Sequence, residues 1–166
     1  MMPRALRTVI LAALVAGACA STLEVVELTS KGPSAEDLHR ERFLAINGRS
    51  PTFDEKRRFE AEVEERVFTY LRQHPELEQT TRYSEFRFWW QVTTGSTRDE
   101  VLVLLQEPTE QTIDPARMAA LAERQWPEIQ DKVREAWLYA PRWTVYFDDK
   151  SVVAIVRRVS VTAPRE

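Results

Sequence analysis

Hydrophobic and polar positions change their rhythm twice along this chain. Residues 9–18, Val-Ile-Leu-Ala-Ala-Leu-Val-Ala-Gly-Ala, form an apolar run with no charge. Between about 35 and 133 the apolar positions recur at three- and four-residue steps, the spacing of one face of a helix. From Trp137 onward the period falls to two: Trp137 and Tyr139, then Trp143, Val145 and Phe147 alternating with Thr144 and Tyr146, then Val152 to Val159. That is the rhythm of strands, and Asp148-Asp149-Lys150 between the last two runs makes a hairpin turn. The expected architecture is therefore α+β, with N-terminal helices followed by a helix-helix-strand-strand-strand unit and a three-stranded antiparallel sheet.

Cap and breaker residues set the boundaries. Ser34 and Asp37 have capping-box spacing and Asn47-Gly48 is a stop, which gives a helix over about 35–46. Thr52 and Glu55 form a better box. The helix they open, over 53–73, carries Phe59, Val63, Val67, Phe68, Tyr70 and Leu71 along one face and is closed by Pro75. Its other face, Lys56, Arg57, Glu60, Glu64 and Glu65, reads as solvated surface. The aromatic stretch from Tyr83 to Val92 holds Tyr83, Phe86, Phe88, Trp89 and Trp90 and reads most simply as a core helix against the helix of 53–73. An exposed platform is the alternative, because a helix offers one stripe to its core. Phe88, Trp89 and Trp90, with the adjoining sheet edge, are accordingly the candidate partner surface. Gly95, then Thr97 and Glu100 as a box, open a short helix that buries Val101, Leu104 and Leu105 and ends at Pro108. Asp114-Pro115 starts another, carrying Met118, Leu121, Ala122, Ile129 and Val133, which Pro127 should kink or split.

Arg4 and Arg7 precede the apolar run, so residues 1–18 have the charged and apolar regions of a secretory signal peptide. The run is well short of the roughly 20 residues that cross a bilayer. It ends Val15-Ala-Gly-Ala-Cys19, which resembles the lipobox of bacterial lipoproteins, although the family pattern places Leu where Ala16 stands. The resemblance implies acylation of Cys19, the only cysteine. Ala20 after it corresponds to sorting to the outer membrane, with periplasmic or secreted protein as the alternative. Cleavage after Ala18 or Ala20 would instead leave an incidental thiol. Residues 19–33, ending Ser30-Lys-Gly-Pro33, read as a lipidated tether. Loss of Arg4 and Arg7 would leave 21 basic against 26 acidic side chains, a net charge near −5. That balance argues against nucleic acid, whose phosphates call for clustered Lys and Arg.

Little in the chain points to catalysis. The two histidines, His39 and His74, have no second His, Cys or carboxylate at ligand spacing, so no metal site is expected. Four glycines cannot build a phosphate cradle, and no cofactor is expected. Asp148 and Asp149 occupy a turn, where Asp is favoured for backbone reasons. The expectation is a non-enzyme.

Gly95-Ser-Thr97 with Glu100-Val101, Leu104-Leu-Gln-Glu-Pro108, Trp137-Leu-Tyr139, Phe147-Asp148 and Val152 to Val156 occur in an order that resembles the SmpA/OmlA (BamE-like) family of envelope lipoproteins. Ser96 stands where that family usually has Met, Gln106 where it has Gly, and the connection from Pro108 to Trp137 is longer. The resemblance implies a domain over 92–160 in which Gly95, Thr97, Pro108, Trp137, Tyr139 and Phe147 serve the fold. It also implies an accessory scaffold of outer-membrane protein assembly, held to the membrane by lipid and contacting envelope assembly proteins. Residues 34–91 are then a helical extension. A tethered or secreted inhibitor or ligand-binding module is the alternative, because the small unit also resembles the repeat of the beta-lactamase-inhibitor-like fold. The intact mass of the purified protein should exceed that of the polypeptide from Cys19 by the acyl groups, and Cys19→Ser should move it to the soluble fraction. An unmodified N-terminus at Cys19 or Ser21 would overturn the lipobox reading.

Overall fold

A computed structural model describes residues 22–162; the signal over 1–18 and the lipid site at Cys19 lie outside the described residues. In chain order the elements are β1 (Thr22–Thr29), β2 (Lys31–Ser34), α1 (Ala35–Asn47) and α2 (Phe53–Gln73). A 3-10 turn (Pro75–Gln79), α3 (Tyr83–Arg87), β3 (Gln91–Thr93), α4 (Arg98–Leu105) and β4 (Glu110–Thr112) come next. Then follow α5 (Pro115–Ala122), a second 3-10 turn (Glu123–Gln125), α6 (Trp126–Ile129), β5 (Glu135–Tyr139), β6 (Trp143–Phe147) and β7 (Val152–Thr162). The class is α+β. Its main sheet is antiparallel and five-stranded in the order β1-β7-β6-β5-β4, and β2 and β3 pair separately.

The sheet is larger than the three strands expected, and the order opens on a strand rather than a helix. β7, eleven residues long, pairs with β6 along one edge only, so its other edge is open to a further strand. β1 fills that flank, from Thr22 opposite Thr162 to Thr29 opposite Ile155. The segment read as a tether is therefore part of the sheet from Thr22 onward. β4 extends the other side, with Gln111 opposite Trp137.

At the centre of the sheet β6 has no solvated face. All five residues of β6 are buried, including Thr144 and Tyr146, which period-two alternation would turn outward. On one face Trp137, Val145, Phe147 and Ile155 pack with Leu38, Val63, Phe86 and Leu104. On the other, Ala136, Tyr146, Ala154 and Val156 pack with Val26, Met118, Leu121 and Val133. Residues of the 34–91 extension thus share a core with the strands.

Helix ends follow local chemistry. Ser34 accepts from the Asp37 N–H at 3.1 Å, but the Asp37 carboxylate takes the Ser34 hydroxyl, so this box stays half made. α1 ends at Gly48, φ +69°, a conformation that costs glycine little. The Thr52–Glu55 box closes fully, and Arg49 beside Glu55 holds that carboxyl down to about 2. Thr97 caps α4, yet Glu100 does not complete a box because its carboxylate turns inward to Arg82. The aromatic segment forms one helical turn, α3, before Trp90 at φ +46° swings the chain into β3, so it is not a core helix. The helix after Asp114 splits at Glu123, φ +50°, four residues ahead of Pro127.

Gln106, the residue after α4, has φ +61° and ψ −159°, a region that essentially only glycine visits without strain. Gln106→Gly should raise stability by about 1 kcal/mol by relieving that strain, read as a higher urea midpoint at unchanged slope. Trp137, 4% exposed, should behave oppositely: Trp137→Ala should cost about 3–5 kcal/mol. An unchanged midpoint in either variant would contradict the corresponding account.

Candidate functional site

The most distinctive exposed surface is aromatic, and it lies where α3 meets α2. α3 ends at Arg87, so the rings that follow it do not turn inward: Phe86 is 2% exposed, Phe88 63% and Trp89 69%. Phe68, one position past the buried Val67 on α2, is 44% exposed. Arg87 joins the rings, its guanidinium 4.0 Å from the Phe68 centroid and 5.3 Å from that of Phe88. Tyr83 meets Phe88 edge-on at 6.1 Å. Such contacts favour a held aromatic strip over independently moving side chains.

Beside this strip is a cavity of about 530 Å³ walled by Phe88, Trp89, Trp90, Lys31 and the carboxylate-bearing Asp37 and Glu60. Trp90 is half-buried and packs against the core; its carbonyl accepts from the Ala35 N–H at 2.9 Å. Its indole Nε1 is buried with no hydrogen-bond partner among the described residues. The three aromatic residues singled out in the sequence are thus brought together, with two rings exposed and one forming a wall. The spacing along α2 puts Phe68 with the buried residues, yet it is 44% exposed. Its position, about 100° around the helix from Val67, is the signal that it lies off the stripe.

The expected sheet edge is not part of this surface. The flank of β7 is occupied by β1, and α3 leads into the separate β2–β3 pair. On the edge strand β1, the Val26 carbonyl accepts from Arg124 and Gln125 side chains at 3.1 to 3.3 Å, which occupies that acceptor on the open edge.

The fold-motif residues lie elsewhere. Gly95, φ +90°, donates its N–H to the Val152 carbonyl at 2.7 Å and turns the chain into α4. Pro108 follows the α4 exit. Trp137 and Phe147 share one sheet face with ring centroids 4.6 Å apart. The Trp137 indole donates to Glu135 at 2.7 Å; Arg98 donates to the other Glu135 oxygen at 2.9 Å and to the Asp148 carbonyl at 2.7 Å. Tyr139 donates to the Gln106 carbonyl at 3.1 Å. The roles of Arg98 and Glu135 have no local sequence signal, because the residues are far apart in the chain.

His39 stacks on Phe59 at 3.8 Å, and burial lowers its affinity for a proton. It is therefore half-buried between α1 and α2 rather than on a free surface. His74 caps α2 and approaches Glu76 at 3.0 Å. Asp148 accepts from the Lys150 and Ser151 N–H groups at 2.7 Å each, and these two donors hold its carboxyl below the usual carboxylate range. This is the geometry of a turn. Among the described residues no group of three or more His, Cys, Asp and Glu is placed to hold a metal ion, and no helix is long and apolar enough to cross a membrane. No family model, curated protein or solved structure matches the chain.

Exposed rings contribute little to folding, so Phe88→Ser and Trp89→Ser should each leave stability within about 1 kcal/mol of wild type. Chemical denaturation checks this, and unfolding of both variants would place the segment in the core.

Proposed function

We propose that this chain is a non-catalytic envelope lipoprotein, anchored through Cys19 at the periplasmic face of the outer membrane, that acts as an accessory scaffold in outer-membrane protein assembly or envelope integrity. The observation that carries this reading is the pair Phe88 and Trp89, two large exposed rings that line the Trp90-walled cavity, Phe88 lying with Phe68 under the Arg87 guanidinium. Trp and Arg anchors surrounded by polar residues are the usual make-up of a protein-binding hot spot. The apolar run ending at Cys19 supplies the envelope location, and the SmpA/OmlA resemblance supplies the kind of partner.

This reading assigns α4, α5 and β5 to β7 to the helix-helix-strand-strand-strand pattern, with β4, α6 and β1 as additions. Two details support this assignment. Gly95 has the positive φ that its motif position asks for, and Gln106, standing where the pattern has Gly, adopts a glycine-type conformation.

Affinity capture from detergent-solubilised outer membranes tests the function. Wild type should retain envelope assembly proteins, and Trp89→Ser should recover several-fold less of them. Equal recovery by Trp89→Ser, or capture of a soluble periplasmic enzyme instead, would overturn the scaffold reading, and the latter would favour a tethered inhibitor.

A further inference from the structure

A second concave site lies on the opposite sheet face. A cavity of about 350 Å³ opens between α5, β1 and the turn that joins β5 to β6. Arg117, Arg142 and Arg158 line it over a floor that includes Val26, Leu138 and Thr144, and no carboxylate-bearing residue lines it among the described residues. Each arginine comes from a different element, so the fold alone brings them together.

Two of the guanidinium groups are held by one edge. Glu110 takes Nε and Nη2 of Arg117, both at 2.7 Å, and Glu123 takes Nη2 of Arg158 at 2.8 Å, with Glu24 3.9 Å from the Arg158 Nε. The Nη1 group of each makes no hydrogen bond among the described residues. Arg142 is less compensated still: its Nη1 lies 3.7 Å from Glu41 of α1, at the rim of the sheet, and its side chain makes no hydrogen bond among the described residues, which leaves Nε and Nη2 free. The Arg158 N–H donates to the Arg142 carbonyl at 2.8 Å, which fixes the two backbones side by side.

We propose that this cavity binds a phosphate group carried on a small organic body. A planar guanidinium fork pairs well with oxyanions, and a phosphate offers an oxygen to each of three forks, whereas a carboxylate has only two. The volume is at the lower end of the roughly 300–1,000 Å³ of small-molecule sites, and Val26 and Leu138 give the body an apolar surface to rest on. A soluble phosphomonoester and the phosphomonoester headgroup of phosphatidic acid share this chemistry, whereas a phosphodiester headgroup offers only two free oxygens. The site is independent of the aromatic surface and of the scaffold reading.

Titration calorimetry at low ionic strength with inorganic phosphate and with glycerol 3-phosphate tests the proposal, alongside co-sedimentation with phosphatidylcholine vesicles with and without phosphatidic acid. Glycerol 3-phosphate or the phosphatidic acid vesicles should bind, and Arg142→Gln should weaken binding at least tenfold, with Arg142→Lys intermediate. Arg117→Gln is a second variant with the same expected direction, and Arg57→Gln, on the exposed face of α2, should bind as wild type. Binding of glycerol 3-phosphate identifies a soluble ligand; binding of the acidic vesicles alone identifies a headgroup. If no probe binds, or if Arg142→Gln and Arg117→Gln both bind as wild type does, the proposal fails.

Discussion

The complete burial of β6 is the constraint from which the rest of the structure follows. A strand with both faces covered requires a helical layer on each side, and the sequence Trp-Thr-Val-Tyr-Phe places polar atoms inside. A buried hydroxyl left without a partner costs about 1–3 kcal/mol, so each layer must present an acceptor at a defined place. On one face Tyr139, from the neighbouring strand β5, donates to the Gln106 carbonyl at 3.1 Å; on the other Tyr146 donates to the Met118 carbonyl at 3.0 Å. Burial pushes both phenols well above their ordinary range, so they remain hydroxyl donors at any physiological pH. The exit of α4 and the first turn of α5 are thereby set by the register of two adjacent strands.

Joining short elements so closely requires sharp backbone reversals. Gln106, Glu123 and Trp90 all have positive φ, and each sits where one element ends and the next begins. Ion pairs hold the neighbouring segments in place. Arg82, just before α3, makes a two-point contact with the 1%-exposed Glu100 of α4, which ties the extension to the strand-bearing half. Replacing such a pair by apolar groups is often neutral, but removing one partner strands a buried charge. Its effect here is to specify one arrangement of α3 against α4.

What could be read from the sequence was local. Ser34, Thr52, Thr97 and Asp114 each cap the helix that follows, because a cap is completed within three residues. β1 was missed because its partner lies more than a hundred residues away, and its Glu24 and Glu27 look like tether residues when β7 is not in view. β4 was missed because Glu-Gln-Thr carries no apolar signal. The alternation of Thr144 and Tyr146 with Trp143, Val145 and Phe147 does not say whether the second face is wet, and only the layers packed on both sides bury it. For the aromatic surface, the residue types and the impossibility of burying every ring were visible, but Phe68 and the coupling through Arg87 depend on how α2 meets α3. The convergence of Arg117, Arg142 and Arg158 had no sequence counterpart.

The two concave surfaces are separated by the sheet. The aromatic strip and its cavity belong to the layer of α1, α2 and β2–β3, whereas the arginine-lined cavity is walled by α5, β1 and the β5–β6 turn. Occupation of one does not sterically oblige the other to empty, because β6 and β7 lie between them with both faces packed. The exposed strand β1 has its Val26 carbonyl engaged by Arg124 and Gln125, and the other edge, β4, is only three residues long. The proposed recognition accordingly rests on side chains rather than on a sheet edge. On the aromatic side these are Phe68, Arg87, Phe88 and Trp89, which remain accessible because α3 is a single turn that cannot bury them.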